Sequence, residues 1–379
     1  MSYPIRILNL FTVMNRGGAE TLVMNLYRQI DRSKIQFDFL VHRQERGLYD
    51  DEIEKLGGRI YRMCPISFTN ILDYKNKLES FFREHHKEYF IIHSHMSEMG
   101  YFVFKVALKY KIPVRILHAH NAPNSQYGTP LIRFKRIFKN YFAKEMCKMA
   151  TDYFTCSNVA AAWLFKSKSS VKFYFLRNAV DSLSFTYDKE KSHFLKQKMG
   201  LEDVFVIGHV ANFSLAKNHT YLIDIFSAFN KKYPKSVLLL IGSGKLKEKI
   251  ELKVKQYNLQ ENVRFLGMRS DVKDLMQVFD VLVFPSLYEG LPVSLIEAQA
   301  AGLPCIVSEN IAPETKIIDD YIPVSITQPA ENWIPFIEKY MDYERKDTSA
   351  MIKEAGFDVV SCAEELSNFY LTKVQSIYS

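Results

Sequence analysis

Short apolar runs rich in β-branched and aromatic residues alternate with longer amphipathic stretches along this chain, and the alternation occurs twice. The first series is Ile5–Leu10, Phe37–Val41, Phe90–His93, Val114–Leu117 and Tyr153–Cys156. The second is Val204–Val210, Val237–Ile241, Val263–Leu266, Val281–Phe284 and Cys305–Val307. These runs are apolar almost throughout, the pattern of strands covered on both faces in a parallel sheet. Helical segments lie between them, among them Ala19–Ile30, Met99–Tyr110, Tyr221–Lys232, Leu246–Tyr257 and Val293–Ala301. Strand–helix alternation predicts right-handed βαβ units and doubly wound sheets. The expected fold class is therefore α/β, with two Rossmann-like parallel-sheet domains, 1–179 and 180–362, joined near Asn178–Asp181. A final amphipathic stretch, Ala363–Ile377, predicts a helix.

Composition narrows the function classes. With 47% hydrophobic and 24% charged residues among 379, the chain is neither disordered nor fibrous. No run approaches the ~18–20 apolar residues of a membrane-spanning helix. The N-terminus lacks a basic region and a small-residue cleavage site, so it reads as a first strand and not as a secretory signal. Five cysteines with no C-x-x-C pair point to a reducing, cytoplasmic setting. Residues 1–180 carry 28 Lys/Arg against 15 Asp/Glu, and the remainder 22 against 27. A basic first half favours an anionic partner.

Open α/β sheets bind ligands beyond the carboxyl ends of their strands, and one such loop is rich in chemistry. Phe284-Pro-Ser-Leu-Tyr-Glu-Gly-Leu-Pro-Val-Ser-Leu-Ile-Glu297 runs from a buried strand through a tight loop into a helix. Pro292 suits the first helical turn, where its missing N–H costs nothing. The amides of Gly290, Leu291, Val293 and Ser294, with the helix dipole, form an anion site. Glu289 precedes the helix and Glu297 lies about one turn inside it; a carboxylate accepts hydroxyl hydrogen bonds from a ribose or a sugar ring. A lone Glu here would be a solvated helix cap. The whole run reads as phosphates on the amides and hydroxyls on the acids, a nucleotide sugar.

Glu289 and Glu297 have the E-x7-E spacing of retaining family 4 glycosyltransferases of the GT-B fold, and the chain resembles that family over essentially its whole length. Arg16-Gly-Gly-Ala-Glu20 is similar to the family's glycine-rich loop, and Arg177-Asn-Ala-Val-Asp181 to its interdomain linker. Ile207-Gly-His-Val-Ala-Asn-Phe213 with Lys217-Asn-His219 resembles the donor-diphosphate loop. Leu240-Ile-Gly-Ser-Gly244 and Phe265-Leu-Gly-Met-Arg269 resemble nucleotide-side strands. The likeness is greatest to bacterial members that build capsular or exopolysaccharide repeat units. It implies two domains facing across a cleft, with the last helix crossing back onto the first. It also implies roles. Glu297 would hold the ribose, Glu289 the transferred sugar, and Lys217 the departing diphosphate. Gly17, Gly18, Asn212, Gly242 and Arg269 would border the donor. His118, with His120 as the alternative, would contact the sugar at the reaction centre. His93, His95, His120 and Asn121 would shape the acceptor side. Asn212 stands where the family often has arginine, which removes a positive charge from the leaving group.

His93 and His95, with His118 and His120, form two H-x-H pairs at strand ends, so a metal site is geometrically possible. No acid or cysteine lies close by in sequence, and the expectation is no metal. No D-x-D pair occurs, so a metal-independent mechanism is expected, with Lys217 and helix amides in the cation's place. Leu131–Ala150 carries six Lys/Arg against one acid, with Phe134, Phe138, Tyr141 and Phe142 at helical spacing. It is read either as an interfacial helix on an anionic leaflet or as a core helix with a basic face in water. No nucleic-acid module is present. The expected activity is transfer of a sugar from a UDP-sugar to a hydroxyl of a lipid-linked or saccharide acceptor, on the inner face of the cell membrane. A GT-B nucleotide-sugar epimerase and a non-catalytic partner subunit stay open as alternatives at this point.

Overall fold

Ile5–Phe11 forms the first strand, β1, buried along its length apart from Arg6, as a continuous apolar run requires. The computed structural model describes residues 3–67, 70–120, 130–165, 172–289 and 291–378, without the side chains of residues 97, 98, 130–138, 159 and 378. The chain divides into two compact units, Met1–Ala179 with Val359–Ser379, and Val180–Asp358.

The first unit holds β1, β2 (Ile35–Val41), β3 (Ile60–Arg62), β4 (Tyr89–Ser94), β5 (Val114–Ala119), β6 (Asp152–Thr155) and β7 (Tyr174–Phe175). They make one parallel sheet in the order β3-β2-β1-β4-β5-β6-β7. The second unit holds β8 (Phe205–Val210), β9 (Ser236–Ile241), β10 (Val263–Gly267), β11 (Val281–Phe284), β12 (Cys305–Ser308) and β13 (Tyr321–Val324). Its parallel sheet runs β10-β9-β8-β11-β12-β13. The winding direction reverses between β1 and β4 in one sheet and between β8 and β11 in the other, and ligands of open α/β sheets bind at such points.

Each sheet is covered on both faces. One face of the first packs Phe37, Phe39, Ile91 and Ile116 beneath the helix Gly18–Gln29 and the final helix; the other packs Leu8, Leu40, Ile92 and Leu117. The final helix runs Val359–Tyr378, four residues earlier than the amphipathic pattern predicts. Val359, Cys362, Leu366, Tyr370 and Val374 all enter the first unit's core, so the boundary falls at 358/359. Where the chain passes between units, Val180 donates to Phe357 O at 2.9 Å and Ser182 to Asp358 Oδ1 at 3.1 Å.

The basic–aromatic segment lies in the helix Pro130–Met149. Among its described side chains, Ala143, Met146 and Cys147 are buried, whereas Lys139, Tyr141, Lys144 and Lys148 face outward. No helix among the described residues is long and apolar enough to cross a membrane.

Candidate functional site

Three loops meet at the carboxyl edge of the second sheet. The loop after β8 is laced to the loop after β9 by Ala211 N–H to Ile241 O, Phe213 N–H to Ser243 O, and Leu246 N–H to Phe213 O. Gly242 (φ +138°) and Gly244 (φ +157°) permit this approach: a Cβ on Gly242 would lie 2.0 Å from Ala211 O. The loop after β11 is pinned by Leu287 N–H to Ala216 O at 2.8 Å, by Asn218 Nδ2 to Pro285 O at 3.1 Å, and by a bridge between Glu289 and Ile311.

This lacing brings Lys217 and Glu289 together. Lys217 Nζ lies 2.5 Å from Glu289 Oε1, each side chain 16% exposed, with the ammonium 5.0 Å from the centre of the Phe284 ring. The two residues expected to serve different parts of one ligand thus hold each other. Asn212, five positions before Lys217, is exposed. Arg269 forms a two-pronged pair with Asp271, at 2.7 and 2.5 Å, so its guanidinium is engaged and does not simply replace the charge that Asn212 lacks.

Pro292 is the cap of the helix Val293–Ala300, with extended ψ of 122°, and not part of its first turn. Leu291 is buried and Val293 and Ser294 partly so; Gly290 lies outside the described residues. Glu297 is in the second turn, and burial pushes its carboxyl up to about 7. The folded state therefore holds a proton that the unfolded chain releases near its ordinary value. The Glu297 contribution is full below about pH 4.5 and is lost as pH rises through about 7. Relative to wild type, Glu297→Gln is expected to gain about 2 kcal/mol between pH 5 and pH 8, read from denaturant unfolding at the two pH values.

Beneath the Lys217–Glu289 pair lies a polar layer that the sequence reading left without a role. His209 Nδ1 donates to Val283 O at 2.8 Å, and His219, the first residue of the helix His219–Lys232, stacks on Phe213 at 4.2 Å. Burial, then the nearby Lys217 charge, lowers His219 to about 4, so both rings are neutral. Among the described residues, His209 Nε2, both His219 nitrogens and Ser286 Oγ have no hydrogen-bond partner.

In the first unit, Gly17 caps the helix Gly18–Gln29. A Cβ on Gly17 would lie 2.3 Å from Glu20 Oε2. The helix thus folds its own carboxylate towards the positive end where a phosphate was expected, and burial raises that carboxyl.

At the ends of β4 and β5 the four histidines gather. His93 Nε2 faces His118 Nδ1 at 3.2 Å, and His95 Nδ1 faces His120 Nε2 at 2.8 Å. Tyr370 of the final helix meets His93 Nδ1 at 2.6 Å, and His95 Nε2 meets Asn9 Oδ1 at 3.3 Å. His118 has no exposed surface, whereas His120 is partly exposed, so His120 is the one with a face towards solvent. Asn121 lies outside the described residues. Asn9 and Tyr370 were not singled out in the sequence: β1 reads as plain core, and Tyr370 is 277 positions from His93.

The family is settled by comparison with known proteins. Residues 16–182 match the model "Glycosyltransferase Family 4" and residues 188–357 the model "Glycosyl transferases group 1". EpsF of Bacillus subtilis, named as a glycosyltransferase, is 33% identical over 96% of both chains. The capsular polysaccharide biosynthesis glycosyltransferase CapH of Staphylococcus aureus is 24% identical over 97% of this chain and 99% of its own. A UDP-Gal:alpha-D-GlcNAc-diphosphoundecaprenol alpha-1,3-galactosyltransferase of Escherichia coli is 32% identical over 36% of this chain and 37% of its own. Anabaena HepE, solved in complex with UDP-glucose, shares the fold with a TM-score of 0.76 at 16% identity, over 97% of this chain and 99% of that one. Two doubly wound parallel-sheet units, two family models that between them take in nearly all of the chain, and a full-length relative at one-third identity agree: the chain belongs to the family 4 glycosyltransferases of the GT-B fold.

Proposed function

We propose that this glycosyltransferase moves a sugar from a UDP-sugar to a hydroxyl of a lipid-linked saccharide, with retained anomeric configuration, in the biosynthesis of a surface polysaccharide. The observation that carries this reading is the Lys217–Glu289 pair at the switch point of the second sheet, with Glu297 in the second turn of the helix that follows Glu289. Lys217 neutralises the departing diphosphate, helped by the amides at 291, 293 and 294. Glu289, freed from Lys217 as phosphate takes its place, accepts hydroxyl hydrogen bonds from the transferred sugar. Glu297 accepts those of the ribose, and Asn212 and Gly242 border the phosphates. His120 serves the sugar from the first unit, with His118 and His93 fixing its surroundings.

Support for the donor comes from the complex of HepE with UDP-glucose. Support for the acceptor comes from the names of CapH and the E. coli galactosyltransferase. The protein's share of catalysis is positioning and charge stabilisation, with no metal needed at the diphosphate. The outward basic residues of the helix Pro130–Met149 fit an anionic leaflet that carries such an acceptor.

Titration calorimetry with UDP, GDP and NAD tests the donor site. UDP is expected to bind, and Glu297→Ala to weaken it about tenfold or more, the ~1–3 kcal/mol of a lost hydrogen-bond acceptor. A folded wild type that binds no nucleotide would overturn the reading.

A further inference from the structure

The histidine cluster of the first unit does more than line a ligand surface. Parallel pairing of β4 with β5 sets His93 opposite Ile116 and Ser94 opposite Leu117. Alternation along each strand then turns His93 and His95, and likewise His118 and His120, to one side of the sheet. All four rings meet there. Ring centres are 5.2 Å apart for His93–His118, 5.2 Å for His95–His118 and 5.1 Å for His95–His120. One nitrogen from each of His93, His95 and His118 lies within 4.8 Å of the other two.

We infer that His93, His95 and His118 bind a divalent transition-metal ion, zinc before others, with His120 or water in the fourth place. Two features of the geometry lead there. First, the spacing fits. Tetrahedral ligands about 2.05 Å from zinc stand about 3.3 Å from one another, and the His93–His118 nitrogens are 3.2 Å apart. Small movements of the rings would admit an ion, with no change in the strands.

Second, the outer nitrogens are already held. The outer Nδ1 of His93 meets the Tyr370 hydroxyl, and the outer Nε2 of His95 donates to Asn9 Oδ1. A donating Nε2 leaves His95 Nδ1 with its lone pair turned into the cluster. Metal-binding histidines characteristically have the second nitrogen fixed in this way by an oxygen.

All-imidazole ligation selects zinc, copper or nickel over magnesium or calcium, which take oxygen ligands. Three histidines with an open fourth position are also the ligand set of the zinc in carbonic anhydrase. The ion would join the carboxyl ends of β4 and β5 and, through Tyr370, the final helix. It is a site of the first unit, distinct from Lys217 and the donor diphosphate, and it does not rest on the proposed donor or acceptor.

The test is metal binding by the whole chain. Protein stripped with a chelator is titrated with Zn2+ against a competing chelating dye, with Mg2+ as control, and bound metal is counted by elemental mass spectrometry. One equivalent of Zn2+ is expected, with affinity falling about 100-fold or more in His93→Gln and His95→Gln. Tyr370→Phe, which leaves the ligands intact, is expected to weaken binding about 10–100-fold. Co2+ should give the intense visible bands of a tetrahedral nitrogen site. His193→Gln, an exposed histidine of the second unit, should change nothing. If His93→Gln fails to fold by circular dichroism, His95→Gln and Tyr370→Phe decide alone. Wild type that takes up no Zn2+, or that binds it no more tightly than folded His95→Gln, would refute the inference.

Discussion

Lys217→Met is expected to lower sugar transfer about 10²–10³-fold, the effect of removing one preorganised charge partner from a developing anion. The loss should fall on kcat, because the diphosphate gains charge as the glycosidic bond breaks. Two consequences of the substitution have to be separated. Lys217 is also the partner of Glu289 at 2.5 Å, and both side chains are largely out of water at 16% exposure. Removing the lysine leaves a carboxylate without its counter-charge, which destabilises the loop after β11. That penalty is modest because the pair sits at the rim of the sheet and not in its core. Glu289→Gln with Lys217→Met removes the orphaned charge as well. If the double variant recovers stability but turns over more slowly than Glu289→Gln alone, Lys217 acts on the donor. If turnover returns with stability to the level of Glu289→Gln alone, the pair is structural and the role given to Lys217 is wrong. Lys217→Arg should recover part of the rate, since it keeps the charge but spreads it over a planar fork.

Gly242→Ala is the second large effect, on stability. The residue has φ +138°, and a new Cβ would meet the backbone oxygen of Ala211 at 2.0 Å. Neither contact partner is the end of a flexible side chain, so the two loops must part. A loss of about 2–4 kcal/mol is expected. Gly200 is the internal comparison, with φ +63° and nothing within 4 Å of an added Cβ. Gly200→Ala meets backbone strain without a clash, and should cost about 1 kcal/mol. Equal losses in denaturant unfolding would show that the loop after β9 yields and that its contact with Ala211 is not tight. Nucleotide affinity should fall in Gly242→Ala and not in Gly200→Ala.

The ten strands read from sequence are all present, because each is a continuous apolar run and burial on both faces of a parallel sheet demands that pattern. The three strands not read are edge strands. β3 and β7 have three and two residues, too short to show a period. β13 contains Pro323, which lacks the N–H for a second neighbour and so belongs at an edge. The start of the helix at His219 was placed two residues late, since Asn218 caps it in the left-handed region at φ +53°, and no apolar period records that.

At the site, residue types and loops were legible but pairings were not. Lys217 and Glu289 were both picked out, yet as partners of a ligand and not of each other. Their meeting depends on β8 and β11 being neighbours across 72 positions of chain. His118 was preferred to His120 by alignment of motif, whereas exposure favours His120, because alternation along β5 cannot say how deep each ring lies. Tyr370 lay beyond reach altogether: an amphipathic helix offers its tyrosine as core, and only the fold carries that hydroxyl to His93.

The division of the chain also has a consequence for its birth on the ribosome. The unit formed by Val180–Asp358 is continuous, and everything it needs has emerged once residue 358 is free. The other unit begins earlier and finishes later. Beyond the helix Gly18–Gln29, its sheet lacks the rest of its cover for Phe37, Phe39 and Ile91 until Cys362, Leu366, Tyr370 and Val374 arrive. The half made first must therefore wait, with part of an apolar face open, while the half made second can already close. During that interval the nascent polypeptide offers a surface that chaperones recognise. Termination of the chain between residues 359 and 370 would strand it there, with Tyr370 missing from His93.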